Sequence, residues 1–179
     1  MRAVHHVGIT VRDLERSVEF YQELLGLTFA VPPTPWFEGD HLARGLGVKP
    51  PVALRVALFE VGDGATWFEI LQYRTPPSTT RQALPQSDIG AAHVAFYVDD
   101  IAAKYAELTA KGVPFNSEPN TVDDGPLAGW RWAYFKDPDG HTMELVEVAY
   151  VHQEQRDADI AAYLGSRTPT PRAGRSQEE

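Results

Sequence analysis

The sequence predicts an α+β fold built from two βαβββ modules, and three observations carry that reading. First, two stretches repeat: HVGITVRDLERSVEFYQELLGL from His6 to Leu27, and HVAFYVDDIAAKYAELTAKGV from His93 to Val113. Self-similarity of this kind marks one supersecondary unit used twice. Second, each stretch passes from an alternating, strand-like run through an Asp into an amphipathic helical run that stops at Gly26 or Gly112. Third, the modules close alike, with TWFEILQY (Thr66 to Tyr73) and HTMELVEV (His141 to Val148), strand-like runs in which a Glu precedes an aliphatic pair.

His6 aligns with His93 at an offset of 93 − 6 = 87. Val7 then falls on Val94, Val11 on Val98, Asp13 on Asp100 and Leu14 on Ile101, while Gly26 meets Gly112 only after a one-residue slip. Asp13 and Asp100 are expected to cap the helices that follow them. Between 31 and 53 the chain is rich in Pro, Gly and aromatics (PPTPWFEGDHLARGLGVKPP), which predicts a long loop with room for a short helix. Gly62-Asp63-Gly64 and Pro138-Asp139-Gly140 are turn signals ahead of the two closing strands. The expected organisation is a first module over 1–75 containing the 31–53 loop, a linker over 76–89 and a second module over 90–150. A terminal helix over 151–165 and a disordered tail over 166–179 follow.

The chain has 179 residues, 43% of them apolar, a net charge of −9 and no cysteine. That length suits one domain or two small modules sharing a core, and the charge is too small to force disorder. No basic stripe is present, so no nucleic-acid partner is expected. Disulfides, thiolate metal sites and a cysteine nucleophile are excluded, which fits a cytoplasmic protein. The opening MRAVHHVGITV has no long apolar run, so neither a signal peptide nor a membrane span is expected.

Side chains alternate between the faces of a strand. Val7, Ile9 and Val11 form an apolar face that must bury against the helix, which turns His6 to the other side. The same reasoning turns His93 away from Val94, Phe96 and Val98. Glu69, flanked by Phe68 and Ile70, and Glu144, flanked by Met143 and Leu145, follow suit. Each module thus offers one imidazole and one carboxylate on the face away from its helix. About a pseudo-two-fold axis, His6, Glu69, His93 and Glu144 would supply two nitrogens and two carboxylates. That set suits Zn, Ni, Co, Fe or Mn, with two positions open to water or substrate. Four such groups buried without a cation would be costly. His5 is expected on the face opposite His6, and His141 lies in a turn on Met143's face, so neither is expected to ligate. The 31–53 loop carries Glu38, Asp40, His41 and Arg44 and is a candidate cover. Tyr97, Trp67, Tyr73, Trp132, His41 and Arg44 are the candidate substrate contacts.

The chain resembles the vicinal oxygen chelate superfamily, the glyoxalase, bleomycin-resistance and dioxygenase group. The resemblance rests on His6 in HHVGITV, on DLERSVEFYQELLGL, on Glu69 in FEILQY, on His93 in AHVAFYVDDI and on DPDGHTMEL with Glu144. It implies a cupped eight-stranded mixed sheet around one divalent metal ion, a small-molecule substrate with vicinal oxygens, and a homodimer. The His/Glu/His/Glu set resembles that of glyoxalase I. The shared chemistry is Lewis-acid stabilisation of an oxyanion while a carboxylate moves a proton beside a carbonyl. The leading expectation is an epimerase, isomerase or glyoxalase-like lyase, with Glu144 as the preferred base and Glu69 as its pseudo-symmetric partner.

RVALFEVGDGATWFEIL also resembles methylmalonyl-CoA epimerase, a family that carries Gln where this chain has Glu69 and a second glutamate base upstream. Ala43 to Leu58 contains no Asp or Glu, which argues against that substrate or moves the second base to Glu38, Asp40 or His41. A relative acting on a sugar-like or cyclitol ketone would be compatible. Two alternatives stand beside this: an Fe(II) extradiol dioxygenase using His6, His93 and Glu144, against which Glu69 weighs, and a drug-sequestering binding protein, against which the intact ligand set weighs.

Overall fold

The computed structural model describes residues 3–148 apart from 63, 65, 81, 82 and 126. The helix expected over 151–165 and the tail over 166–179 lie outside the described residues. Each module has the expected order. The first runs β1 (His6–Val11), α1 (Leu14–Glu19), β2 (Thr28–Val31), β4 (Ala53–Val61) and β5 (Thr66–Thr75). The second runs β6 (His93–Tyr97), α3 (Ile101–Ala110), β7 (Asn120–Thr121), β8 (Arg131–Lys136) and β9 (Thr142–Glu147). The 31–53 loop adds a short β3 (Phe37–Glu38) and a two-turn helix α2 (Asp40–Leu46).

Both Asp caps form. Asp13 Oδ1 accepts from the Arg16 amide at 3.1 Å and Asp100 Oδ1 from the Ala103 amide at 2.9 Å, each satisfying one of the donors that a helix start leaves open. The first helix does not run regularly to its glycine. After Glu19 it widens into a π-helical turn, Phe20–Leu24. The one-residue slip in the repeat explains this: Asp13 to Gly26 spans 26 − 13 = 13 positions, Asp100 to Gly112 spans 112 − 100 = 12. An inserted residue is absorbed as a π-bulge without rotating the flanking turns off their packing face. Gly26 and Gly112 then end the two helices at φ of 77° and 84°, conformations that L side chains rarely adopt.

The strands fall into two sheets, β1-β5-β4-β2, with β3 added to β4, and β6-β9-β8-β7. In each, the first strand pairs parallel with the last and the rest of the ladder is antiparallel. The eight strands expected to form one cup are therefore split within a chain. Packing shows why. Both sheets bury their helix-facing sides in one shared core that contains Phe59, Phe68 and Ile70 of the first sheet and Phe135, Met143 and Leu145 of the second. Phe20 and Tyr21 of the π turn sit between them, with Phe20 6.4 Å from the Phe135 ring. Each large apolar side chain removed from water in this way contributes about 2 kcal/mol. The modules meet through their helix sides, so the faces bearing Glu69 and Glu144 lie outside that core. Among the described residues, no helix is long and apolar enough to cross a membrane.

Candidate functional site

Strand register fixes the first pair. In the parallel β1–β5 ladder Gly8 stands beside Glu69 and His6 two positions earlier beside Trp67. His6 Nε2 comes to 3.7 Å from Glu69 Oε2. Gly8 provides the space: a Cβ there would lie 2.9 Å from Glu69 Oε2. The second pair repeats the geometry. Ala95 registers with Glu144, His93 precedes it by two, and His93 Nε2 lies 3.1 Å from Glu144 Oε2. Two donors held about 2.1 Å from one cation at right angles are about 3 Å apart, which is the spacing of the second pair, while the first is wider. Both carboxylates are largely shielded, with 17% of the Glu69 side chain and 13% of Glu144 exposed, which favours a cationic partner over two bare charges.

The other nitrogen of each imidazole is also held. His5 Nδ1 lies 2.8 Å from His6 Nδ1, and Gln86 Nε2 lies 2.8 Å from His93 Nδ1. Partners of this kind set the ring's tautomer and direction. If His93 held a cation through Nε2 it would carry its proton on Nδ1, and the Gln86 amide turned over would present Oε1 to accept it. Gln86 sits in the segment read from sequence as a plain linker, where no periodicity singles it out. The expected direction of His5 needs correction. Its ring packs on Trp67 at 4.9 Å and edges His6 at 5.1 Å, so it turns toward Glu69's side. The alternation rule fails there because β1 begins only at His6.

Tyr134 is the other residue that the sequence reading missed. It registers directly opposite Glu144 in the β8–β9 hairpin, which brings its phenol beside that carboxylate. Its ring stands edge-on to His93 at 5.4 Å and beside Trp132 at 5.1 Å. Burial first, then the Glu144 charge, raises the phenol above its ordinary range, so the hydroxyl stays a donor. On the first sheet Tyr73 shares Glu69's face, and its phenol is raised by burial and then by Glu69.

Burial also raises Glu144 above the ordinary carboxylate range, outweighing the charge of His93 and the hydrogen bonds from His93 and Tyr134. A carboxyl that holds its proton more tightly when folded stabilises the fold fully below its unfolded value. That contribution is lost as pH rises through the folded value. Metal-free protein should therefore lose stability as pH climbs from about the reference 4.5 toward neutrality. Urea titrations of Glu144→Gln should show that decline flattened, and an unchanged pH slope would reject this account.

Of the candidate substrate contacts, Trp67 and Tyr73 share Glu69's face, Trp132 shares Glu144's, and Tyr97 is 53% exposed on His93's side of β6. Helix α2 lies over the first sheet, with Ala43 packed against Leu54 and, beside them, Val56 and Tyr73. The loop thus covers one end of the Glu69 face, while His41 and Arg44 on its outer side are exposed. His141 Nε2 is turned to the Thr10 carbonyl at 2.9 Å. The two His–Glu pairs stand on different sheets, and among the described residues of one chain no three His, Asp or Glu side chains gather as a metal cluster.

Comparison with known proteins agrees with this architecture. The sequence profile of the Glyoxalase/Bleomycin resistance protein/Dioxygenase superfamily matches residues 3–145. A 2-epi-5-epi-valiolone epimerase from an Actinomyces species is 36% identical over 163 residues, covering 90% of this chain and 87% of that protein. A lactoylglutathione lyase of Arabidopsis thaliana is 27% identical over 146 residues, 79% of this chain but only 43% of the plant protein. Among solved structures, a glyoxalase family protein from Bacillus cereus superposes with a TM-score of 0.67 at 23% identity, covering 83% of this chain and 95% of its own.

Proposed function

Because the chain belongs to the glyoxalase/bleomycin resistance protein/dioxygenase superfamily, we propose that it is a divalent-metal-dependent epimerase acting on a polyhydroxylated cyclic ketone. One observation carries this: two His–Glu pairs, on strands of identical register, each with its carboxylate shielded and an imidazole nitrogen within 4 Å of it. His6, Glu69, His93 and Glu144 would hold the ion. The relative named for a cyclitol ketone supports the substrate class.

Each pair is half a site, and the half that completes it comes from a second copy of the chain. In a two-fold dimer, His6 and Glu69 of one protomer face His93 and Glu144 of its partner. The isologous contact makes two equivalent sites and covers both exposed sheet faces. When bound, the cation supplies Lewis-acid stabilisation of the oxyanion that develops on the substrate. The chain's own groups do the rest. His5 and Gln86 orient the two imidazoles, Trp67, Tyr73 and Trp132 wall the cup, and a carboxylate takes the proton from the carbon beside the carbonyl. A glyoxalase-like lyase is the second reading, supported by the same donor set and the Arabidopsis relative.

Protein loaded with Zn, Ni, Co, Mn or Fe(II) and incubated in D2O with 2-epi-5-epi-valiolone should incorporate deuterium beside the carbonyl, as read by NMR. The incorporation should vanish on chelation. Exchange that survives complete metal removal would sink the metal-dependent reading. Turnover of a hemithioacetal with none of the cyclic ketone would select the lyase.

A further inference from the structure

The strap that leads into α2 is fixed more firmly than α2 itself. Thr34 bonds β4 twice: its amide donates to the Val56 carbonyl at 2.9 Å, and its hydroxyl accepts from the Val56 amide at 3.1 Å. Phe37 and Glu38 continue this edge as β3, in register with Leu54 and Ala53. Between these ties, Trp36 has two guanidinium groups over its ring, Arg55 at 4.8 Å and Arg74 at 4.7 Å from the centroid, a cation–π geometry. Both cations are themselves held. Arg55 forks onto the two Glu15 oxygens at 2.6 and 2.5 Å and onto Gln72 Oε1 at 2.8 and 2.6 Å, and Arg74 pairs with Glu38. Gly39 then turns the chain from this edge onto the Glu69 face at a φ of 136°, where a Cβ would meet the His41 ring at 2.8 Å. Helix α2 has seven residues and no side-chain cap at its start, too little to persist alone. What it has is Leu42, Ala43 and Val48 packed with Leu54, Val56 and Tyr73. Tyr73 stands on Glu69's face of β5 and feels its charge, so the helix backs an aromatic wall that reaches the first half-site.

We propose that Trp36, clamped by Arg55 and Arg74, is a positioning residue that sets α2 as the end wall of the substrate cup, and that this wall limits the size of the cyclic ketone admitted. This rests on the cyclic-ketone reading above and adds its size limit. The clamp lies on the helix side of the first sheet, where Arg55 reaches α1 through Glu15. Trp36 therefore acts on the substrate only through α2 and Tyr73. Loosening the clamp lets the short helix shift on Leu54 and Val56, and Tyr73 loses its backing. The metal donors on β1 and β5 keep their register, so what is lost is substrate binding and the limit on size, not the proton transfer itself.

Two readouts on the intact chain test this. Without any turnover, trypsin should cut after the exposed Arg44 of α2 about tenfold faster in Trp36→Ala than in the unaltered protein, followed by mass spectrometry. In metal-loaded protein acting on 2-epi-5-epi-valiolone, Trp36→Ala should raise KM about tenfold while kcat stays within about twofold, the mark of lost binding shared by ground and transition states. Its discrimination against the O-benzyl ether of that ketone should shrink by a similar factor. Trp36→Tyr, which keeps an aromatic face for the two cations, should restore all three values. If Trp36→Ala does not fold, Arg74→Met, which removes one cation at an exposed position, should move the same values in the same direction. Equal cleavage rates, or faster cleavage with KM and discrimination unchanged, would overturn the assignment, as would a fall in kcat alone. Unaltered protein that turns over none of the ketone with any of the metals would instead remove the function on which the wall's role rests.

Discussion

Mixing His6→Ala protein with His93→Ala protein is expected to restore metal sites that neither variant forms alone. Each variant by itself lacks one imidazole in both sites of its dimer, which should weaken binding by about a hundredfold or more, since a ligand loss exceeds the outer-shell effect. A mixed dimer is different. One of its sites joins the altered His6 half to the altered His93 half and is doubly defective. The other joins the intact His6 half of one protomer to the intact His93 half of its partner. Random re-pairing makes about half of the dimers mixed, each with one good site, so about a quarter of the normal sites should return. The measurement is cobalt absorbance, or deuterium exchange, after co-refolding equal amounts of the two variants. If the halves instead met within a chain, every site would carry one defect and mixing would restore nothing. The back-to-back packing of the modules, with Phe20 and Tyr21 buried between the sheets, is what makes the first result the expected one.

The modules, and the sheet faces on which His6, Glu69, His93 and Glu144 stand, were legible in the sequence for a definite reason. A strand with one apolar face writes its geometry into alternation, so Ile9 and Val11 place His6 and Phe68 and Ile70 place Glu69 without any long-range information, although Val7, expected to bury with them, stays 41% exposed near the start of β1. The π turn was foreshadowed only as a slip between Gly26 and Gly112, because an extra residue in a helix changes spacing and not composition. Tyr134 could have been found. The Asp-Pro-Asp-Gly-His turn pairs Lys136 with Thr142, and counting back two on one arm and forward two on the other sets Tyr134 against Glu144. Gln86 could not, since a linker residue reaches His93 by tertiary folding alone. How the modules pack was equally hidden: either face of each sheet reads the same whether its partner lies in the same chain or another.

Replacing Asp137 by Ala should destabilise the protein by about 3 kcal/mol, a large effect for a residue remote from both glutamates. Asp137 is 5% exposed and stands at the mouth of the β8–β9 turn. One carboxylate oxygen accepts from the amides of Asp139 and His141 at 2.9 and 2.7 Å, the other from the Tyr21 hydroxyl at 2.9 Å. The first two bonds close the turn, and the third ties the second module's hairpin to the first module's π turn. Truncation would leave three donors in a nearly dry place, and each unmet donor costs about 1 kcal/mol or more. Tyr21→Phe, which removes a single bond, should cost about 1 kcal/mol, and the double variant should fall short of the sum because the two share that bond. Denaturant titrations of the four proteins check both numbers. The pH dependence gives the sign. Burial, the largest influence, raises Asp137 above the ordinary carboxylate range against the opposing pull of His141, Tyr21 and the turn amides. Its contribution is therefore greatest below its unfolded value and declines as pH rises through the folded one. The gap between unaltered protein and Asp137→Ala should widen from neutral pH toward pH 4, near the reference value of 3.8. A gap that narrows on acidification would mean that the buried carboxyl is held as an anion by its three donors, and that the hairpin is locked by charge.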